Sequence, residues 1–202
     1  MSERTYGQNC GIARAADLLG ERWTLLIVRD LLIAPRRFSE LERRMKGMGT
    51  NLLARRLKDM TQAGLIASGA PRDPYALTAM GLALEPMVLQ MVRWSLNWVE
   101  VPAGTGGLHF PDWDLLALKA LFAPRADLET PILARFEHGD WIAWAKVAPG
   151  SYAYGLGEPG TPADVSFPCL ITALRNPAAI LRQLPPEQQS TAQTFLAAFP
   201  LD

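Results

Sequence analysis

The chain has 202 residues, 49% of them hydrophobic, with 20 basic and 20 acidic side chains that cancel to a formal net charge of zero. That apolar content is enough for one large or two small cores and excludes a disordered chain. Two cysteines exclude a disulfide framework, the N-terminus lacks an apolar run of secretory type, and no segment reaches the roughly 18 uninterrupted apolar residues of a membrane span, so a cytoplasmic protein without a membrane partner is expected.

Apolar positions in the first hundred residues recur at spacings of three and four, which predicts helices over 12–19, 22–33, 38–45, 50–63 and 78–99. Strand-like runs at 65–68 and 75–77 flank Gly69-Ala70-Pro71-Arg72-Asp73-Pro74, a composition suited to an exposed hairpin loop. Short helices, a two-stranded hairpin and a long closing helix make a mainly α winged helix-turn-helix domain over residues 1–100. Val101-Pro102-Ala103-Gly104-Thr105-Gly106-Gly107 has no apolar period and places a linker at 101–110. Beyond it, a helix at 112–122 precedes strands at 131–137, 141–147, 152–155 and 163–167, and helical character returns at 170–174, 178–184 and 188–199. Residues 111–202 therefore read as an α+β domain with a small antiparallel sheet. No internal repeat or low-complexity stretch occurs.

Charge is distributed unevenly along this order. Residues 1–100 carry 14 basic against 10 acidic side chains, residues 101–202 carry 6 against 10, and the run from Arg36 to Lys58 holds eight basic residues against Glu40 and Glu42. A basic field within a neutral protein suits a phosphate-bearing partner, although a solvated surface would read the same way from charge alone. The helix from Thr50 sharpens the choice. Leu53, Leu57 and Met60 fall on one side of it, and Asn51, Arg55, Lys58 and Gln62 fall on the opposite side. A helix in the major groove needs one buried stripe and, facing away, side chains that bond base edges and phosphates; arginine reads guanine and asparagine reads adenine through paired hydrogen bonds. Thr50 and Ala54 join this candidate interface, with Arg36 and Arg37 before the preceding helix and Arg72 at the hairpin tip as backbone clamps on double-stranded DNA. Arg56 lies nearer the core edge and suits a structural ion pair.

Cys10-Gly11-Ile12-Ala13-Arg14-Ala15, Leu18-Leu19-Gly20-Glu21-Arg22-Trp23-Thr24, Arg37-Phe38-Ser39-Glu40-Leu41, Asn51-Leu52-Leu53-Ala54-Arg55-Arg56-Leu57, Ala63-Gly64-Leu65-Ile66 and Tyr75-Ala76-Leu77-Thr78-Ala79-Met80-Gly81 occur in this order. Over residues 8–98 the chain resembles the HxlR family of bacterial regulators, relatives of the MarR group. The resemblance implies a homodimeric winged helix protein on pseudo-palindromic DNA, acting as a repressor or an activator. It also places Cys10 at the family's N-terminal cysteine, a thiol that some relatives use to detect electrophiles or oxidants. Arg14, four residues on, is a candidate for lowering its pKa; a small buried residue beside the dimer interface is the other reading.

The helix at 78–99 carries Leu82, Leu84, Met87, Val88, Leu89, Met91, Val92, Trp94, Leu96 and Trp98, more apolar positions than one core-facing stripe uses. A partner subunit would cover the surplus, and so would the second domain of the same chain. That second half resembles, more weakly, the sterol-carrier-protein type of lipid-binding domain, through the meander 132–154, the run Pro162-Ala163-Asp164-Val165-Ser166-Phe167 and Leu170-Ile171-Thr172-Ala173-Leu174. This implies a small apolar ligand, with Trp113, Trp141, Trp144, Tyr152, Tyr154 and Phe167 as pocket candidates or ordinary core. His109 and His138 form no metal-ligand spacing, no phosphate loop or nucleophile elbow is present, and the pairs Asp112/Asp114 and Glu137/Asp140 read as solvated turn carboxylates. No enzyme, metal or cofactor is expected. The alternative to a regulator is a lipid carrier whose winged half mediates protein contacts.

Overall fold

A computed structural model describes residues 5–68, 73–99, 110, 112–125, 127–138, 141–168, 173–174 and 176–200. It comprises two compact units, Met1–Val88 and Leu89–Asp202.

The first unit contains α1 (Gly11–Leu19), α2 (Thr24–Ile33), α3 (Phe38–Arg44), α4 (Thr50–Gln62), the antiparallel pair β1 (Ile66–Ser68) and β2 (Tyr75–Leu77), and α5 (Ala79–Leu82); α6 (Glu85–Trp98) spans the division between units. Its core is built from Ile27, Val28 and Leu31 of α2, Leu41 of α3, Leu53, Leu57 and Met60 of α4, and Leu65 and Ile66 leading into the hairpin. Each such side chain contributes about 1.5–3 kcal/mol on burial.

Three departures from the sequence expectation have local causes. Helix α2 begins at Thr24 instead of residue 22, because Trp23 has φ +90°, a left-handed conformation that opposes helical continuation. The expected helix over 78–99 is two helices: Thr78 caps α5 by accepting from the Gly81 N–H, the chain turns at Ala83 and Leu84, and α6 restarts with Pro86 in its first turn. Proline lacks the N–H that an uninterrupted helix would bond to the carbonyl of residue 82, yet it suits a first turn. The residue pair Arg36 and Tyr75 forms an antiparallel bridge, with N···O distances of 3.0 and 2.7 Å, and so ties the start of the α3 segment to the hairpin.

A buried ion pair braces the same helices. Arg44 of α3 donates through Nε to Asp30 of α2 at 2.5 Å, and Arg29 donates to the other carboxylate oxygen at 2.9 Å. Hairpin loop residues 69–72 lie outside the described residues, as does most of the expected linker at 101–110.

The second unit holds α7 (Trp113–Leu121), β3 (Ile132–His138), β4 (Trp141–Ala148), β5 (Ser151–Leu156), β6 (Val165–Phe167), α8 (Pro177–Leu181) and α9 (Pro186–Leu196). Its sheet runs β5-β4-β3-β6. The first three strands are antiparallel, but β6 is parallel to β3, so the sheet is mixed and not wholly antiparallel. The strands alternate as a half-covered sheet requires: Ile132, Ala134, Phe136, Ala145, Val147, Val165 and Phe167 point into one core with Leu118, Leu121, Ile180 and Phe195 from the helices. Phe136 stacks on Phe167 at 5.7 Å between ring centroids, and both meet Phe195. Asp112 and Asp114 are buried at the start of α7, in contrast to the solvated carboxylates expected there. The expected helical stretch at 170–174 is described only at Ala173 and Leu174, both buried.

Candidate nucleic-acid interface

Gly47, with φ +90°, turns the chain after α3, and Gly49 stands at the N-cap position of α4. Thr50 is therefore the first helical residue. Its hydroxyl donates to Glu42 of α3 at 2.5 Å, which fixes the entry of α4 against the preceding helix. The Arg37 backbone N–H donates to the Glu40 carboxylate at 2.7 Å and anchors the start of α3 in the same manner.

The two faces of α4 separate cleanly. Leu53, Leu57 and Met60 are 0%, 1% and 2% exposed, whereas Thr50, Asn51, Ala54, Arg55, Lys58 and Gln62 are all exposed. At 100° per residue Asn51, Arg55, Lys58 and Gln62 lie within about 60° of one another. Arg55 is the most open of the paired cations, with 76% of its side chain exposed and Asp59 4.0 Å away. Arg56 turns inward to Glu21 at 2.9 Å, the structural ion pair its wheel position suggests. Arg37, Arg43 and Lys46 extend the basic surface N-terminally, all exposed.

Arg36 does not belong to this surface. It is 6% exposed and its backbone is committed to Tyr75, so its side chain is a core-edge group and not an open phosphate clamp. Arg72 lies outside the described residues.

Cys10 is exposed at the N-cap of α1, where the N–H groups of Ala13 and Ile12 hold its thiol below the ordinary cysteine value. Arg14 is not the cause, since its guanidinium donates to the Asn9 side chain at 2.7 Å.

The six aromatic pocket candidates occupy three environments. Phe167, Tyr152 and Tyr154 face the helix-covered side of the sheet, where Phe167 is 1% exposed and simply core; the buried Tyr152 hydroxyl has no hydrogen-bond partner among the described residues, and burial pushes its pKa upward. Trp113 and Trp141 each meet Phe110 edge to face, at 5.2 and 6.1 Å. Trp144 stands on the opposite side of the sheet. An apolar groove in this unit uses none of the six: Leu174, Pro177, Leu181, Leu196 and Phe199 border a volume of about 470 Å³. No group of side chains able to hold a metal ion occurs among the described residues, and no helix there is long and apolar enough to cross a membrane.

A glycine turn between two short helices, a hairpin tied back to the first of them and an outward polar face on the second define a winged helix-turn-helix DNA-binding protein. Among known proteins, the HxlR-like helix-turn-helix family matches residues 18–102. The uncharacterised HTH-type transcriptional regulator YvaP of Bacillus subtilis (strain 168) is 34% identical over 92 residues, 43% of this chain and 85% of YvaP. The uncharacterised regulator Rv3095 of Mycobacterium tuberculosis (strain H37Rv) is 34% identical over 109 residues, 52% of this chain and 67% of Rv3095. YodB of B. subtilis (strain 168), an HTH-type transcriptional regulator, is 33% identical over 91 residues, 43% of this chain and 81% of YodB. The solved structure of quinone-bound YodB matches with 32% identity and a TM-score of 0.40, covering 43% of this chain and 96% of that one. The chain belongs to the HxlR-like helix-turn-helix family and is a DNA-binding transcriptional regulator.

Proposed function

We propose that the protein acts in the cytoplasm as a homodimer on pseudo-palindromic operator DNA, with one copy of α4 in each of two successive major grooves. The observation that carries this reading is the opposition on α4 of Leu53, Leu57 and Met60, all buried, to Asn51, Arg55 and Lys58, all exposed. In it Arg55 reads guanine, Asn51 reads adenine, Lys58 and Arg37 hold phosphates, and Thr50 and Ala54 shape the approach of the helix to the base edges.

The dimer rests on α6. Met87, Met91, Trp94 and Trp98 are 38%, 48%, 61% and 76% exposed, and their spacing of four, three and four places them on one stripe about 60° wide. A second copy that covered this stripe would set two recognition helices about 34 Å apart, one turn of DNA. For the second unit, an apolar effector of the sterol-carrier type is supported by helices layered on one face of a small sheet and by the groove beside Leu181 and Phe199. Oxidation of the exposed Cys10 thiolate is a second input. Either signal alters operator affinity only as far as it favours one spacing of the two recognition helices.

Fluorescence anisotropy across a salt series tests the DNA contacts. Arg37→Ala should weaken operator and random duplexes alike and lower the salt slope by about 1, the signature of one lost phosphate contact. Binding to operator that does not change with salt would remove the DNA-reading role and favour a protein-contact module.

A further inference from the structure

The connection from β5 to β6 carries a consequence for ligand binding. The sheet order puts these strands at opposite edges, and the helices cover the inner face together with Phe136 and Val165. Residues 157–164 therefore cross the outer face, over β4 and β3. Leu133 shows it: it points away from the helical core, yet is only 7% exposed because this crossing covers it.

The crossing is held at both ends. Gly157, at φ +81°, turns it out of β5, with its N–H on the Ile142 carbonyl at 2.8 Å. Arg135, on the outer face of β3, grips both oxygens of Glu158 at 2.9 Å each and is itself steadied by Glu137 at 2.6 Å. At the far end Asp164 exchanges two bonds with Leu133, its N–H to the carbonyl and its carboxylate from the N–H, each at 2.8 Å.

Beside this arch lies an open pocket of about 430 Å³, floored by Leu133, Trp144 and Lys146 and walled by Pro159, Thr161 and Pro162. The Trp144 indole lies against β5 at Gly155, where a Cβ would stand 2.6 Å from the ring, so glycine at 155 makes room for it. Trp144 and Lys146 are two apart on one strand and share the outer face, about 7 Å from each other along it. The ammonium of Lys146 is exposed, and no ion pair engages it among the described residues. The wall carboxylate, Asp164, is already committed to Leu133.

We propose that this arched pocket binds a small planar aromatic carboxylate, its ring against Trp144 and the prolines and its anionic end at the Lys146 ammonium. A neutral apolar ligand would partly desolvate that ammonium while forming no ion pair with it, which is why the anion is favoured. The pocket shares no lining residue with the groove beside Leu181 and Phe199, and the inference stands apart from the operator reading.

The test titrates the full-length protein, without DNA, with 2-naphthoate and with its neutral counterpart 2-naphthylmethanol, by calorimetry and amide-resolved NMR. The acid should bind saturably, about tenfold tighter than the alcohol, and should shift the amides of Gly160, Thr161 and Asp164. Lys146→Met, a surface change, should abolish the preference for the acid, and Gly155→Ala, which displaces the indole, should weaken both ligands. Absence of saturable binding, equal affinities for the two compounds, an unaltered preference in Lys146→Met, or shifts centred on residues 177–200 would each overturn the proposal.

Discussion

Arg55 and Arg56 are neighbours with opposite surroundings, and the difference is measurable. Arg55 is open and has only a distant Asp59; Arg56 is 13% exposed and bonded to Glu21. Arg55→Ala should leave thermal stability nearly unchanged while costing about 1–3 kcal/mol on a specific operator and flattening base preference. Arg56→Ala should do the reverse, lowering stability by about 1 kcal/mol with base preference intact. Anisotropy titrations paired with thermal melts separate the two, and equal losses of operator affinity would remove the distinction. Deeper in the unit, Asp30→Ala removes the buried carboxylate that Arg44 and Arg29 share and should lower unfolding free energy by about 3–5 kcal/mol in urea denaturation. At the other end, the lowered Cys10 pKa means that the thiolate persists to lower pH and is lost only as pH falls through that value. Its alkylation by iodoacetamide, followed by peptide mass spectrometry, should therefore reach half-maximal rate at a lower pH than an unstructured cysteine peptide; a midpoint at or above the peptide's would contradict the N-cap account.

The elements differ in how plainly the sequence announces them. The α4 faces are legible because both the leucine stripe and the polar stripe obey the helical period, and burial then fixes which side faces out. The break between α5 and α6 has a sequence signal, Pro86 eight residues into an expected helix, but unbroken apolar spacing on either side masks it. Arg36 is misread for a related reason: a bridge of one residue pair to Tyr75 has no period at all, so only tertiary pairing reveals that its side chain is enclosed. In the second unit the alternation of β3 to β5 reads directly, whereas the parallel placement of β6 depends on where a long crossing returns, which local pattern does not encode. Cys10 shows a further limit, because helix-spaced charge pointed to Arg14 while the backbone N–H groups at the start of α1 do the work. For α6, Trp94→Glu places a charge in the middle of the exposed stripe. Under the proposed dimer, sedimentation velocity should show the parent chain as a dimer and this variant as a monomer at the same concentration; a variant that stays dimeric would move the interface elsewhere.

At the scale of the whole molecule, zero net charge conceals a basic first half and an acidic second half, and only the basic half carries the groove-reading geometry. Family membership rests on that half, residues 18–102. The α+β unit brings an apolar groove on its helical side and an arched pocket on the outer face of its sheet. The six aromatic residues do not converge: Trp144 alone takes the outward strand parity, Trp113 belongs to a helix, and Trp141 stands at the end of its strand against Phe110, none of which composition alone registers. The most direct measurement is selection of bound fragments from a random DNA pool by the parent chain and by Arg55→Ala in parallel. The account predicts enrichment of two inverted half-sites about 10 base pairs apart, centre to centre, with the variant losing information at one guanine in each half. Enrichment of no sequence by the parent chain, or an identical motif from both proteins, would contradict the assignment of α4 as the element that reads DNA.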